Sequence, residues 1–295
     1  MSKVGFIGVG TMGCPMASNI ISKGNDLKFY DPYVQDENKL KLENLGAQYC
    51  TSIKDLLDGR EFIISMLPNG NNVKDVCMGE DGLLKQDKND YIHIDMSTIL
   101  PADSIAINKQ FESHNIKMFD APVARLVNNA IDGTLLILVG GDKDKFEEIK
   151  PLLETMGSDV VYCGNSGSGS KMKIINNYMS IVSNIVTAET LSLVERSGID
   201  LNLAINLLTT TAAGKGHLNV SYPIKVLKND VSPGFKNTLA LKDLKLALEQ
   251  GELDGIDLST GKSALKIYEG ADKTDYKDLD WTSMFNYMKE INKID

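Results

Sequence analysis

The 295-residue chain is long enough for two domains, and its 42% hydrophobic and 24% charged residues fit a soluble globular protein with a sizeable core. A net charge of −9 argues against a nucleic-acid surface, which needs clustered Lys and Arg, but leaves room for a small anion in a local cationic pocket. No apolar run reaches the roughly 18 residues of a membrane span and no leader pattern precedes the first strand, so no membrane association is expected.

Lys3 to Gly8 reads as a short buried strand followed at once by Gly8-Val9-Gly10-Thr11-Met12-Gly13 and an amphipathic helix over Met12 to Lys23. The spacing is G-x-G-x-x-G between strand and helix. Gly8 permits the tight turn, Gly10 lets backbone approach a pyrophosphate, and Gly13 lets the helix pack closely. The helix start, with Thr11 and Met12, offers free N–H groups to phosphate. A second strand, Leu27 to Tyr30, ends in Asp31, about twenty residues on, where a carboxylate binds ribose hydroxyls and repels a 2′-phosphate. Pro32 and Tyr33 follow, with no arginine beside them, so NAD is expected over NADP.

Further strands are expected at Phe62 to Met66, Tyr91 to Asp95, Lys117 to Asp120, Leu135 to Val139 and Val160 to Tyr162. Helical stretches lie between them, around Asn71 to Met78, Ala102 to His114 and Lys143 to Met156. Alternation of this kind predicts a mostly parallel, Rossmann-type doubly wound sheet over residues 1–165, with ligands beyond the carboxyl ends of the strands. Leu67-Pro68-Asn69, Ser97-Thr98 and Asp120-Ala121-Pro122-Val123-Ala124-Arg125 fall at such ends, where each is either a turn or part of a site.

Cys14, Cys50, Cys77 and Cys163 are scattered without a C-x-x-C pair, which suggests a reduced cytoplasmic protein with packing roles for each. His93, His114 and His217 show no ligand spacing, so no metal is expected.

Beyond residue 165 the β signal fades and an all-α domain is expected over 166–295, joined by a long helix over Lys171 to Ser197. Further helices are expected at Leu201 to Thr210, Thr238 to Gly251, Thr260 to Gly270 and Trp281 to Ile291. Lys173, Asn176, Asn177 and Ser180 fall at i, i+3, i+4 and i+7 on the first of these, which is either a site or a solvated face. Ile174, Ile175, Met179 and Ile181 are expected on its buried side. Thr211 to His217 reads as a small-residue loop, and Lys242 sits among leucines as a snorkelling or a cleft lysine.

Together these segments resemble the β-hydroxyacid dehydrogenase family, the group containing 3-hydroxyisobutyrate dehydrogenase and related semialdehyde reductases. Phe6 to Asn19 is similar to its N-terminal signature, Asp120 to Val123 to its substrate loop, Gly167 to Asn177 to its catalytic motif and Lys242-Asp243-Leu244 to a later motif. Longer segments, Met66 to Gly70, Asp95 to Ile99, Ile175 to Ile181 and Thr211 to His217, resemble its sulfolactaldehyde reductase branch. Most members continue the Asp-Ala-Pro-Val loop with Ser-Gly-Gly, where this chain has Ala124-Arg125-Leu126.

The resemblance implies hydride transfer between NAD(H) and a small anionic aldehyde or alcohol, bearing either a sulfonate or a carboxylate. It implies Lys173 as the acid, with Arg125, Asn176, Asn177, Ser180, Ser97 and Val123 toward the substrate. Gly8, Gly10, Thr11, Met12, Gly13, Asp31, Leu67, Pro68, Asn69 and Thr98 fall toward the cofactor, and Lys242 toward both. It also implies a homodimer or homotetramer. A dinucleotide sensor would not need Lys173 with Asn177, and imine reductases usually carry another residue in place of that lysine.

Overall fold

The computed structural model describes residues 1–294, with only part of the side chains in the helix Asn237–Asp254. The chain divides into two compact units, Met1–Tyr178 and Met179–Asp295. The division falls inside a helix rather than ahead of it. The first turns of that helix are tied to the sheet by Asp120, and they stay with the first unit.

The first unit is built on nine strands: β1 (Lys3–Ile7), β2 (Asp26–Tyr30), β3 (Gln48–Tyr49), β4 (Phe62–Ser65), β5 (Ile92–Asp95), β6 (Lys117–Asp120), β7 (Val123–Ala124), β8 (Leu135–Gly140) and β9 (Gly157–Gly164). Their order is β3-β2-β1-β4-β5-β6-β8-β7, with β9 on β8. From β3 to β6 all neighbours run parallel, the Rossmann arrangement that the alternating pattern predicts. β8 departs from it, lying antiparallel to β6 and β7. Between Ala124 and Leu135 the chain forms only the short helix Val127–Ile131, too little for a parallel crossover.

Apolar residues alternate to both faces of the sheet. Val4, Phe6, Ile64 and Ile94 pack with Met16 and Ile20 of helix α1 (Gly13–Ser22) in one layer. Ile7 and Ile63 pack in the other with Val73, Ile107 and Phe111. Burial on both faces accounts for the apolar runs of β1 and β4, whereas β5 buries His93 and Asp95 alongside its isoleucines. Sequence patterning missed β3, β7 and the helices Asp36–Asn44, Ile53–Leu57 and Val127–Ile131, all short or strongly charged.

The second unit is helical, with Leu201–Leu208, Asn237–Asp254, Ser259–Ala271 and Met284–Ile291 as its longer elements after the connecting helix. Gly198 and Gly255 end helices in left-handed conformation, at φ 72° and 69°. Thr211 to His217, expected as a loop, instead forms the short helix Ala212–Lys215 and the start of a second, His217–Val220, hinged at Gly216. The connecting helix, α2 here, spans Ser168–Arg196. Its expected buried side is not buried within the single chain, since Ile174, Ile175, Met179 and Ile181 are all exposed.

Candidate active site

The turn after β1 has the geometry of a phosphate cradle. Gly8 holds φ 88°, a backbone that disfavours any side chain, and its N–H bonds Tyr30 O at 3.0 Å. A Cβ on Gly8 would strike the Met66 carbonyl, and one on Gly13 would strike the Gly8 carbonyl, with Phe6 just beyond. A Cβ on Gly10 would meet nothing within 4 Å. Its lack of a side chain therefore serves space that the described residues leave open. Among the described residues, the N–H groups of Gly10, Thr11, Met12 and Gly13 have no acceptor, and α1 has no side-chain cap. A pyrophosphate fits such a cradle, because free amides and the positive helix end point at one space.

Two side chains hold the turn from behind. Asp31 Oδ2 accepts from Val9 N at 2.9 Å and Oδ1 from Tyr33 N at 2.8 Å, while Asn38 Nδ2 donates to Val9 O at 2.9 Å. Asp31 is thus both the strand-end turn residue and a partly exposed carboxylate with lone pairs left for hydroxyl donors. Asn38 gave no signal in the sequence, since it reaches the turn from a charged surface helix.

Beyond β4, Leu67 N donates to Ser97 Oγ at 2.9 Å, and Asn69 caps the helix Gly70–Met78 by accepting from Asn71 N and Asn72 N. Pro68 is exposed. Ser97 is only 1% exposed, and its hydroxyl also donates to Asp95 Oδ1 at 2.6 Å. Its neighbour Thr98 is exposed and lines a cleft of about 390 Å³ together with Asn69, Ile99, Asp103 and Ile174. This cleft joins the Asn69 and Thr98 loops to the start of α2, within the first unit.

The second glycine-rich turn, Gly164 to Gly169, is filled from inside. Asp120, 2% exposed, accepts from Gly167 N through Oδ1 and from Ser170 N through Oδ2, both at 2.7 Å. Burial pushes the Asp120 carboxyl up and the two amides pull it part of the way back. A Cβ on Gly169 would strike Leu138 O, so the helix start is pressed onto the sheet. Asp120 is therefore the anchor that fixes where Lys173 stands, one turn further on. It ends β6 in register with Asp95, a pairing that flags both acids at the ligand edge.

Lys173 is half-buried, and desolvation lowers its pKa. Among the described residues no group bonds its amine, which is unusual for a shielded cation. Asn177 is partly buried on the same helix and accepts from Asn176 Nδ2 at 3.2 Å, whereas Asn176 and Ser180 are exposed.

The substrate-loop residues stand differently. Val123 is buried in β7, paired with Ile137. Arg125 holds φ 80°, and its guanidinium already has partners: Nη1 donates to Thr134 O at 2.6 Å and Ser158 Oγ at 2.8 Å, and Nη2 pairs with Asp159 Oδ2 at 2.7 Å. Most of the fork is thus taken up by the chain itself, and Nε and one Nη2 hydrogen are the donors left over. The side chain of Lys242 lies outside the described residues.

Residues 3–164 match the family described as the NAD binding domain of 6-phosphogluconate dehydrogenase. Residues 167–288 match the one described as NAD-binding of NADP-dependent 3-hydroxyisobutyrate dehydrogenase. The chain is 37% identical to 3-sulfolactaldehyde reductase of Escherichia coli (strain K12), over 98% of this chain and 96% of that protein. It is 36% identical to the mitochondrial 3-hydroxyisobutyrate dehydrogenase of Mus musculus, over 97% of this chain and 87% of that one. A solved structure of Mycobacterium tuberculosis 3-hydroxyisobutyrate dehydrogenase with L-serine is similar at a TM-score of 0.68 and 28% identity, covering 98% of this chain and 99% of that one.

Proposed function

The chain belongs to the 3-hydroxyisobutyrate dehydrogenase family of NAD(P)-dependent oxidoreductases acting on CH–OH, and from that premise we propose that it uses NADH to reduce a small anionic aldehyde to a primary alcohol. The first candidate is 3-sulfolactaldehyde, giving 2,3-dihydroxypropane-1-sulfonate, since the reductase of that name is similar over nearly the whole of both chains. The observation that carries the reading is Lys173: a shielded amine without a partner among the described residues, on a helix anchored at the ligand edge of a dinucleotide-type sheet.

When bound, NADH supplies the hydride to the carbonyl carbon. Lys173 Nζ donates a hydrogen bond to the carbonyl oxygen, stabilises the negative charge that grows there, and passes it a proton. The lowered pKa favours that release. Asn177 orients the aldehyde, with Asn176 and Ser180 beside it on the exposed stripe. The amides of Gly10 to Gly13 hold the pyrophosphate, Asp31 takes the ribose hydroxyls and disfavours a 2′-phosphate, and Leu67, Pro68, Asn69 and Thr98 border the nicotinamide half. Arg125 meets the substrate anion with its remaining donors, in competition with Asp159. Lys242, whose side chain lies outside the described residues, is assigned to the cofactor and substrate on the family resemblance alone.

A second copy of the chain is the proposed partner. From Lys171 to Val186 no residue of α2 is buried, and Ile175, Ile181 and Ile185 stand exposed at 61%, 64% and 48%. A helix with apolar residues uncovered on this scale marks an association surface. Light scattering in solution should return a dimer or tetramer, and a monomer would reject it.

The test of the reaction is NADH oxidation at 340 nm with 3-sulfolactaldehyde against succinic semialdehyde, repeated with NADPH. A kcat/KM preference for the sulfonate supports the first candidate. A preference for the carboxylate moves the protein to the semialdehyde or 3-hydroxyisobutyrate-type reading, which the 36% identity to the mouse enzyme favours. NADH binding with no turnover of either would sink both substrate readings and leave the cofactor reading standing. No helix among the described residues is long and apolar enough to cross a membrane.

A further inference from the structure

Behind the cofactor-side loop lies a buried polar chain that the proposed reaction does not use. His93, fully buried and stacked on Phe111, places Nε2 3.0 Å from Ser65 Oγ. Ser65 donates its single hydroxyl hydrogen to Asp95 Oδ1 at 2.8 Å, so the imidazole must be the donor to Ser65, which fixes the Nε2–H tautomer. Ser97 likewise gives its one hydrogen to Asp95 Oδ1 at 2.6 Å, which leaves its lone pairs to accept from Leu67 N at 2.9 Å. The two hydroxyls therefore converge on one carboxylate oxygen, each accepting in turn from the group behind it, and the chain ends on a backbone amide of the loop. Asp95 Oδ2 and His93 Nδ1 have no partner among the described residues.

The position of that amide gives the chain its role. Met66 O and Leu67 Cδ2 are the atoms that a Cβ on Gly8 would strike or touch, the latter at 3.0 Å, so the loop after β4 is fitted against the glycine turn itself. On its other side, the residue following Ser97 lines the cleft with Asn69. We propose that Ser97, held by Asp95, is a positioning residue that sets the Leu67-Pro68-Asn69 loop against the glycine turn and so determines affinity for the nicotinamide half of the dinucleotide, without touching it. This rests on the reading of that loop as cofactor-side, and it replaces a direct substrate contact for Ser97.

The experiment compares binding of NADH with that of ADP-ribose, which has the adenine half and pyrophosphate but no nicotinamide. Ser97→Ala should weaken NADH about tenfold, the size of one lost hydrogen bond with its unsatisfied partner, and leave ADP-ribose within about twofold. Ser97→Cys, of nearly the same volume and a weaker acceptor, should fall between and covers the case in which the alanine variant does not fold. Asp95→Asn, which keeps an acceptor oxygen for Ser97, should bind NADH more tightly than Ser97→Ala does. Equal losses for both ligands, or no loss for NADH, in the folded Ser97 variants would overturn the inference. Failure of the unaltered protein to bind NADH and ADP-ribose alike would instead overturn the cofactor reading beneath it.

Discussion

The two glycine-rich turns of the first unit have the same plan, a strand, a turn with glycines where a side chain would collide, and the start of a helix, yet they hold different things. At Gly8 to Gly13 the side chains that act on the turn, Asp31 and Asn38, grip Val9 from behind and leave the helix-end amides without partners among the described residues. At Gly164 to Gly169 the Asp120 carboxylate lies where an external anion would, taking the amides of Gly167 and Ser170. A glycine-rich turn is thus a fitting for negative charge, and tertiary neighbours decide whether the charge comes from a ligand or from the chain. The first turn serves recognition, and the second serves to fix Lys173.

If the turns divide the work this way, substitutions should separate binding from chemistry. The largest effect is expected for Lys173→Met, with kcat lower by about 10²- to 10⁴-fold while NADH affinity by fluorescence titration stays within about twofold. Loss of both together would merge the two roles. Next comes Asp120→Ala, which strands two buried amides and should cost roughly 3 kcal/mol in urea unfolding, with Asp120→Asn costing less because one acceptor oxygen remains.

Within the first turn the glycines themselves should part company. Gly10→Ala fills open space, so the melting temperature should hold while NADH binding weakens. Gly13→Ala drives a methyl into the Gly8 carbonyl and should lower stability by about 1–3 kcal/mol as well. Equal stability for the two variants would show that the backbone yields at Gly13.

The last effect, spread over pH, concerns the neighbouring strand-end acid. Asp120 has an amide on each oxygen, whereas Asp95 has one oxygen bare, and burial raises its pKa to about 6 from 3.8. Folding disfavours its ionised form, so Asp95 removes stability as pH rises from 3.8 through about 6. Burial lowers His93 to about 3 from 6.5, so His93 removes stability as pH falls through that range. Between about 4 and 6 the two slopes oppose. Asp95→Asn should therefore expose the His93 slope, about 1.4 kcal/mol lost per pH unit below 6.5, in urea titrations at pH 4.5 to 7. An unchanged profile would show that His93 is free to charge.

Much of the parallel sheet was legible because short runs such as Phe62 to Ile64 are apolar on both faces, and the glycine spacing stands where strand meets helix. Strand direction at β8 was not legible: Leu135 to Val139 reads the same whichever way it runs, and the shortness of the connector decides it. Nor did the helical spacing of Ile175, Met179 and Ile181 say that this face would stand open, since periodicity marks an apolar stripe and not its cover. Asp120 could be seen as part of a motif, but its grip on Gly167 and Ser170 spans nearly fifty residues of chain, and local pattern carries no such distance.

Arg125 stands where the family resemblance leads one to expect the first glycine of Ser-Gly-Gly, and its φ of 80° is a backbone that favours glycine. A left-handed arginine costs about 1–2 kcal/mol, and contacts to Thr134, Ser158 and Asp159 offset it. Glycine would keep this backbone without strain but would release Thr134, Ser158 and Asp159, so the loop's course and its chemistry are set by separate parts of one residue.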